Sequence, residues 1–357
     1  MKLEEFLTLS KEPREQSGPE DRIVMSSRVR LARNLQGHSF PTWAKKPDRV
    51  KTLELIRPAI ESLPQFADAF SSGLDKLSSM EKQLLVERHL VSREHAAKSG
   101  GSGVVFTKDE SICVMINEED HLRMQVLKPG LQVDEAWKEL DALDSNLEKK
   151  LDYAFSDDLG YLTACPTNLG TAIRVSAMLH LPGLVLSEQI NQIINSVNKL
   201  GLAVRGLYGE GTEALGNIFQ VSNQMTLGES ESQIVTRLGK VLNQIIEHEE
   251  NARATLLEGK SSTVYNHIGR AYGILANAHV IASKEAMNLL SLLRLGVDFK
   301  MFNGIDHAVI DELFLSTQPA HLQQQHAGKL GAEERDVLRA TMLRKRLKKV
   351  KRPHLPK

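Results

Sequence analysis

Two cysteines in 357 residues are too few for a disulfide framework, which suits a reducing compartment. No apolar run approaches the ~20 residues that a membrane-spanning helix requires. The opening Met1-Lys2-Leu3-Glu4-Glu5 lacks the apolar stretch of a signal peptide. Net charge is missing too: 45 Lys+Arg balance 45 Asp+Glu, so no global field draws the chain to nucleic acid or a membrane. There is no Gly-x-x-x-x-Gly-Lys-Ser/Thr loop, no His-Arg-Asp catalytic loop and no Asp-Phe-Gly metal motif. P-loop NTPases and ordinary hydroxyl-directed protein kinases are thereby disfavoured. What is left is a cytoplasmic globular chain, 41% apolar and 25% charged.

The length exceeds what one core usually serves, so two domains are expected. Residues 1–20 read as a polar lead-in. The next stretch, Ile23 to Asn34, suits a half-buried strand, with Arg28 and Arg30 two apart on one face. Such a pair could grip neighbouring phosphate oxygens or simply line a solvated face. Ser78-Ser79-Met80-Glu81 is a capping box opening a helix that ends near His89. Two candidate strands, Val104–Thr107 and Ser111–Ile116, then deliver Asn117-Glu118-Glu119-Asp120-His121-Leu122-Arg123. Glu118 and Glu119 cannot both face one ligand if strand geometry persists, so one of them is expected to be structural.

Cys165-Pro166-Thr167-Asn168-Leu169-Gly170-Thr171-Ala172-Ile173-Arg174 reads as a loop closing onto a helix N-terminus, with Arg174 one turn inside. A strand at 202–206 leads into the glycine-rich Arg205-Gly206-Leu207-Tyr208-Gly209-Glu210-Gly211. Beyond about residue 255 strand signals vanish, and 262–282, 284–295, 306–315 and 332–349 read as helices around a loop at 316–331. The expected division is therefore 1–20, 21–255 and 256–357, the last ending in a basic tail from Arg344. That tail allows weak nucleic-acid contact, but no base-reading motif accompanies it.

Arg28 and Arg30 share a predicted strand face, Arg123 and Arg205 fall at the ends of predicted strands, and Arg174 lies at a predicted helix start. Converging, they would cage a triphosphate, because bidentate guanidinium–oxygen bonds fix geometry as well as charge. Glu119, Glu210 and Cys165 are the other candidate groups.

Taken together, Ser26-Ser27-Arg28-Val29-Arg30, Asn117 to Arg123, Cys165 to Thr171 and Arg205-Gly206 resemble the phosphagen kinases, the family of creatine and arginine kinases. The similarity is closer to a bacterial protein-arginine kinase branch. That branch lacks the small N-terminal helical domain and carries Arg-Asp-x-x-Arg-Ala, here Arg335-Asp336-Val337-Leu338-Arg339-Ala340. The resemblance implies an α+β fold: a mostly antiparallel sheet flanked by helices, then an all-α C-terminal domain. It implies phosphoryl transfer from ATP with Mg2+ to arginine side chains of proteins, with no metal ligand assigned to the protein itself.

ATP-binding residues implied by the resemblance are Ser26, Ser27, Arg28, Val29, Arg30, His89, Arg123, Arg174, Val175, Ser176, Ala177, Met178, Arg205, Gly206, Leu207, Tyr208 and Gly209. Glu119 and Glu210 would hold the acceptor guanidinium and take its proton, and Cys165 would align it as an anion. Arg335, Asp336, Arg339 and Ala340 would bind phosphoarginine allosterically, although Arg335 and Arg339 with Glu333 and Glu334 could equally form a solvated helix face. Protein substrates with accessible arginines, a zinc-binding activator, a stress-gene repressor, a Clp-type unfoldase and a homodimer are the partners it suggests. A small-guanidine kinase and a catalytically silent phosphoarginine-binding adaptor are the competing readings. One departure stands out: where metabolic relatives carry a further arginine, this chain reads Ser222-Asn223-Gln224-Met225-Thr226-Leu227-Gly228.

Overall fold

The computed structural model describes residues 3, 6, 7, 17–206, 214–326 and 328–354. Its strands are β1 Val24–Arg33, β2 Phe70–Gly73, β3 Gly103–Phe106, β4 Ile112–Ile116, β5 Leu122–Pro129, β6 Phe155–Ser156, β7 Gly160–Tyr161, β8 Ile173–His180, β9 Leu202–Gly206 and β10 Ile218–Asn223. Eight of them form one sheet, ordered β2-β3-β4-β5-β1-β8-β10-β9, and β6 and β7 form a separate ribbon. With its flanking helices and helical C-terminal region, the fold is α+β. Among the described residues no helix is long and apolar enough to cross a membrane.

Two compact units alternate along the sequence. The first comprises Met1–Pro13, Ser26–Ala177 and Ser222–Lys240, and the second Arg14–Met25, Met178–Val221 and Val241–Lys357. They do not follow a single cut near residue 255, which lies inside a helix running Glu231–Asn277. That helix departs from helical geometry at Lys260 (φ −137°).

In the first unit β1 pairs antiparallel with β5, β5 with β4, β4 with β3 and β3 with β2. Opposed residues share a face, so the register fixes what each face carries. Arg28 opposes Leu127, Arg30 opposes Gln125, and Ala32 opposes Arg123, which sets three arginines on one face. The alternate residues Val29, Leu31, Met124 and Val126 are buried on the other. Helix Val133–Glu148 packs against β5, burying Ala136, Leu140, Leu143 and Leu147 as its spacing predicts. Helix Lys46–Glu61 packs on β3 and β4 and continues through Pro58.

The expected helix after Thr171 is instead strand β8, with Arg174 its second residue. Burial explains the misreading. Ile173, Val175, Ala177 and Leu179 are buried on one face, and Ser176 and His180 on the other. A central strand hidden on both faces shows no clean two-residue alternation and mimics a buried helix. One short helix also differs from expectation: Pro319–Gln324 interrupts the loop expected at 316–331.

The second unit is built on helices Ser283–Asp298, His307–Ser316 and Ala332–Leu347, whose Leu290, Leu293, Ile310, Leu313 and Leu343 share one apolar cluster with Ile268. A buried polar hub runs beside it. Arg294 pairs with Asp311 at 2.9 Å and donates to the carbonyls of Asp21 and Arg22, each at 2.7 Å. Arg253 bridges Glu249 (2.6 Å) and Asp298 (2.7 Å), and Glu249 accepts the N–H groups of Gly183 and Leu184. Removing one member of such a hub strands the others in low dielectric. Arg294→Met is therefore expected to cost about 3–5 kcal/mol, read from urea unfolding of the full chain.

Candidate active site

The arginine face of the first unit is where like charges gather. Arg28 and Arg30 keep part of their surface accessible, yet protein atoms crowd the guanidinium ends. Burial first, and the neighbouring Arg123 second, lower the Arg28 guanidinium to about 10. Arg30 is driven well below its ordinary value by burial, then by Arg28, Arg123 and Arg174, while Glu118 acts the other way. Arg28, Arg123 and Arg174 therefore all lie within electrostatic reach of Arg30. The Nε of Arg30 is buried without a hydrogen-bond partner among the described residues.

Gln125, opposite Arg30, donates from Nε2 to the carbonyl of His89 at 2.8 Å, and the Cys113 thiol donates to that of Leu90. These bonds lay the 89–90 turn along the arginine face, with His89 at φ 61°. Behind that turn, Arg88 and Glu110 form a buried bidentate pair. The Ser27 side chain lies on the opposite face of β1, donating to the Gly130 carbonyl and accepting from the Gln132 N–H. Val29 is fully buried there as well. Only the main chain of these two could reach a nucleotide, whereas Ser26 stays partly accessible at the start of the pairing.

Glu118 is the buried acid of its pair and Glu119 the exposed one. Glu118 accepts Arg123 Nη1 at 2.7 Å, the Ser92 hydroxyl at 2.6 Å and the Glu119 N–H at 3.0 Å. Burial opposes its ionisation, but Arg123 and these donors outweigh it and hold the carboxyl at about 2. Glu119 is raised from its ordinary value, by desolvation first and then by Asp120 and Glu118. Asp120 is buried and accepts Asn34 Nδ2 (2.6 Å) and the Ala164 N–H (2.7 Å). Asn34 also donates to the Leu162 carbonyl and accepts the His121 N–H. The Glu119 turn and the Cys165 segment are thus fastened to one side chain.

Cys165 is partly exposed, its Sγ 3.0 Å from the Thr167 hydroxyl. A single 3-10 turn, Pro166–Asn168, follows it, and then β8. No α-helix begins behind the thiol, so the helix N-terminus expected there is not the source of any electrostatic aid. Thr226 holds this loop instead. Its hydroxyl lies 2.6 Å from the Leu169 carbonyl and 3.1 Å from that of Thr167, and its own carbonyl accepts the Thr171 N–H. At Gly170 (φ 97°) a Cβ would meet the Thr226 carbonyl oxygen at 2.5 Å, so both conformation and space demand glycine.

Asn223 accepts Arg174 Nη1 on its carbonyl (2.7 Å) and the Val175 N–H on its side chain (2.8 Å). The segment that lacks the metabolic relatives' arginine thus holds another arginine in place. Val175 and Ala177 are buried, while Ser176 lies 3.4 Å from the Arg28 carbonyl. Asn34, Asn223 and Thr226 were not singled out as site residues from sequence, because each acts through contacts far along the chain.

In the second unit, Met178 packs against the helical core, and Arg205, exposed, and Gly206 end β9. Leu207, Tyr208, Gly209 and Glu210 lie outside the described residues. Of the Arg-Asp-x-x-Arg-Ala segment, Ala340 and Arg339 are buried. Arg339 donates to the carbonyls of Thr317 (2.9 Å) and Ile281 (2.8 Å) and pairs with Asp336. Arg335 donates to the Leu330 carbonyl. The expected carboxylate for an incoming guanidinium is therefore engaged by the chain's own arginine.

Residues 51–252 match the family described as ATP:guanido phosphotransferase, C-terminal catalytic domain, and residues 261–357 match the protein-arginine kinase McsB C-terminal domain. The chain belongs to the ATP:guanido phosphotransferase family. A relative from Moorella thermoacetica, named protein-arginine kinase, is 46% identical over 93% of this chain and 96% of its own length. One of the same name from Bacillus cereus is 46% identical over 93% and 94%. Among solved structures, lombricine kinase aligns with a TM-score of 0.58 at 23% identity, covering 72% of this chain and 77% of that one. A duplicated taurocyamine kinase from Schistosoma mansoni, solved with transition-state-analogue components, aligns at 0.56 and 26% identity over 65% and 33%. The ATP:guanido phosphotransferase is thus a kinase of the protein-arginine kinase type in sequence, on the phosphagen kinase fold.

The Glu118–Arg123 pair gives a pH prediction. A carboxyl held at about 2 in the fold, below its unfolded value, stabilises above the unfolded pKa and loses that contribution as pH falls through the folded one. Glu118→Gln should cost on the order of 3 kcal/mol at pH 7. The gap in urea midpoint between variant and wild type should narrow from about pH 5 toward pH 2.

Proposed function

We propose that this kinase transfers the γ-phosphoryl group of MgATP to arginine side chains of proteins through the residues assembled above. The observation that carries the site assignment is charge. Arg28, Arg30, Arg123 and Arg174 crowd together with Glu118 as the acid that acts on Arg30, and Arg30 Nε is buried without a partner. Such a cluster is completed by a polyanion, and nucleotide phosphates supply the charge and the acceptors. Arg205 and the 89–90 turn extend the nucleotide contacts by their motif positions. Mg2+, arriving with the nucleotide as part of the substrate, would supply neutralising charge at the phosphates.

Guanidinium is a weak nucleophile because its pKa lies above ~12. Glu119 fits the base: it is exposed, and desolvation with the flanking Asp120 and Glu118 raises its carboxyl from the ordinary value. Its carboxylate takes a proton from the acceptor nitrogen as the N–P bond forms and the bond from γ-phosphorus to the leaving oxygen breaks. Glu210 supplies the second carboxylate by its motif position, and Cys165, on a loop pinned by Thr226 and Asp120, contacts the guanidinium.

Regulation by phosphoarginine at Arg335, Asp336, Arg339 and Ala340 is part of the same reading. The ligand's guanidino group would take Asp336 from Arg339, freeing that arginine to join Arg335 on the phosphate. The zinc-binding activator, stress-gene repressor, Clp-type unfoldase and homodimer rest on the motif resemblance, and cytoplasmic placement on the two unpaired cysteines.

Two measurements check this. Incubated with MgATP and an arginine-rich protein, wild type should form acid-labile phosphoarginine, and Glu119→Gln should lower kcat by about 100-fold or more. Equal activity in the variant refutes the base assignment. Arg335→Ala should keep basal activity and lose stimulation by free phosphoarginine, and unchanged stimulation refutes the allosteric site.

A further inference from the structure

The first unit exposes few large apolar side chains, and four of them border the Cys165–Thr171 loop. Phe155 (53% exposed) and Leu159 (43%) lie on the β6–β7 ribbon. Met225 (62%) and Leu227 (52%) lie on the segment after β10. Both segments are hydrogen-bonded to the loop: Tyr161 N–H donates to the Gly170 carbonyl at 2.9 Å, and Thr226 makes the bonds described above. The ribbon's tip between Phe155 and Leu159 carries Asp157 and Asp158, both exposed, and the 224–228 segment carries no charge.

Phe155 is exposed without being loose. Its ring packs edge-on against Tyr161 with centroids 5.2 Å apart. Tyr161 in turn lies under the Arg33 guanidinium, 3.4 Å from ring centroid to carbon, and Arg33 is held by the buried Asp144 at 2.6 Å. An exposed aromatic on so fixed a base loses little freedom on contact, which is what a recognition anchor requires.

We propose that Phe155, Leu159, Met225 and Leu227, with Asp157 and Asp158, form the docking surface for the polypeptide flanking the acceptor arginine. The surface selects arginines with apolar neighbours in a cationic stretch. This rests on the reading of Cys165–Thr171 as the acceptor loop. An arginine reaching that loop from a protein brings its chain neighbours against the two bordering segments, and the acid pair complements the charge of the arriving stretch. A free guanidine has nothing to place on these side chains.

The test uses the full-length kinase and two peptides, each with one arginine, flanked by Leu/Phe in one and by Ser/Gly in the other, with lysines further out in both. Wild type should show the lower KM for the apolar-flanked peptide. Phe155→Ser/Leu159→Ser and Met225→Ser/Leu227→Ser should each raise that KM roughly tenfold, leaving the KM of the Ser/Gly peptide, the KM of ATP and both kcat values unchanged. Asp157→Asn/Asp158→Asn should raise both peptide KM values, more at low salt. Wild type treating the peptides alike, or variants losing both equally, overturns the proposal. Glu119→Gln in the same assay separates the two readings: it should lower kcat for both peptides and leave their KM ratio intact. A KM preference without that kcat loss removes the base assignment and leaves the docking surface standing.

Discussion

One ion pair sets the terms for the catalytic unit. Arg123 and Glu118 meet at 2.7 Å at the foot of a turn, and around them the register of β1 against β5 gathers Arg28 and Arg30, with Arg174 added from β8. Like charges in a crowded setting repel, and Arg28 and Arg30 both lie below their ordinary values, lowered by burial first and by neighbouring arginines second. A single buried carboxylate relieves part of the repulsion and leaves the remainder as attraction for an anionic ligand. Because Glu118 is consumed in this way, Glu119 is released from structural duty to face solvent. The division of labour between two adjacent acids follows from the turn at 117–121, which buries one and exposes the other, as much as from their chemistry.

The remaining constraints concern rigidity between the two halves of the chemistry. Asn34 and Asp120 tie the Glu119 turn to the segment before Cys165, and Asn223 and Thr226 tie Arg174 to the loop after it. The turns around these ties hold His89, Asn117 and Ala172 at positive φ, a conformation uncommon for residues with a Cβ. Asn117 is compensated by donating to the carbonyls of Arg49 and Gly101. Strain held by surrounding bonds fixes these turns in place.

Much of this was legible in the sequence for stated reasons. Arg28 and Arg30 alternate in a recognisable strand, the Ser78–Glu81 capping box forms as written, and the motif order points to the family. β8 was not legible, since burial on both faces erases the alternation that distinguishes a strand. Neither were the fastening side chains. Thr226 reaches residues 57 and 59 positions away, and Asp120 meets Ala164 across 44, so nothing local announces either. The interleaving of the two units was hidden for the same reason: linear reading assigns contiguous domains, whereas β1, β8 and β10 each contribute residues to both.

The two-residue rhythm of β1 has an evolutionary corollary. Insert or delete one residue between Ser26 and Arg30, and every side chain downstream of the change turns over. Part of the Ser27–Val29 face would then trade places with the guanidinium groups, burying cations against Met124 and Val126 and opening aliphatic surface where the nucleotide is proposed to lie. Point substitutions here can be tested one at a time by drift, but a change of length is all-or-none. Descendants of this chain should therefore diverge by replacement within the β1 motif and keep its spacing, reserving length variation for the tips of the connecting loops.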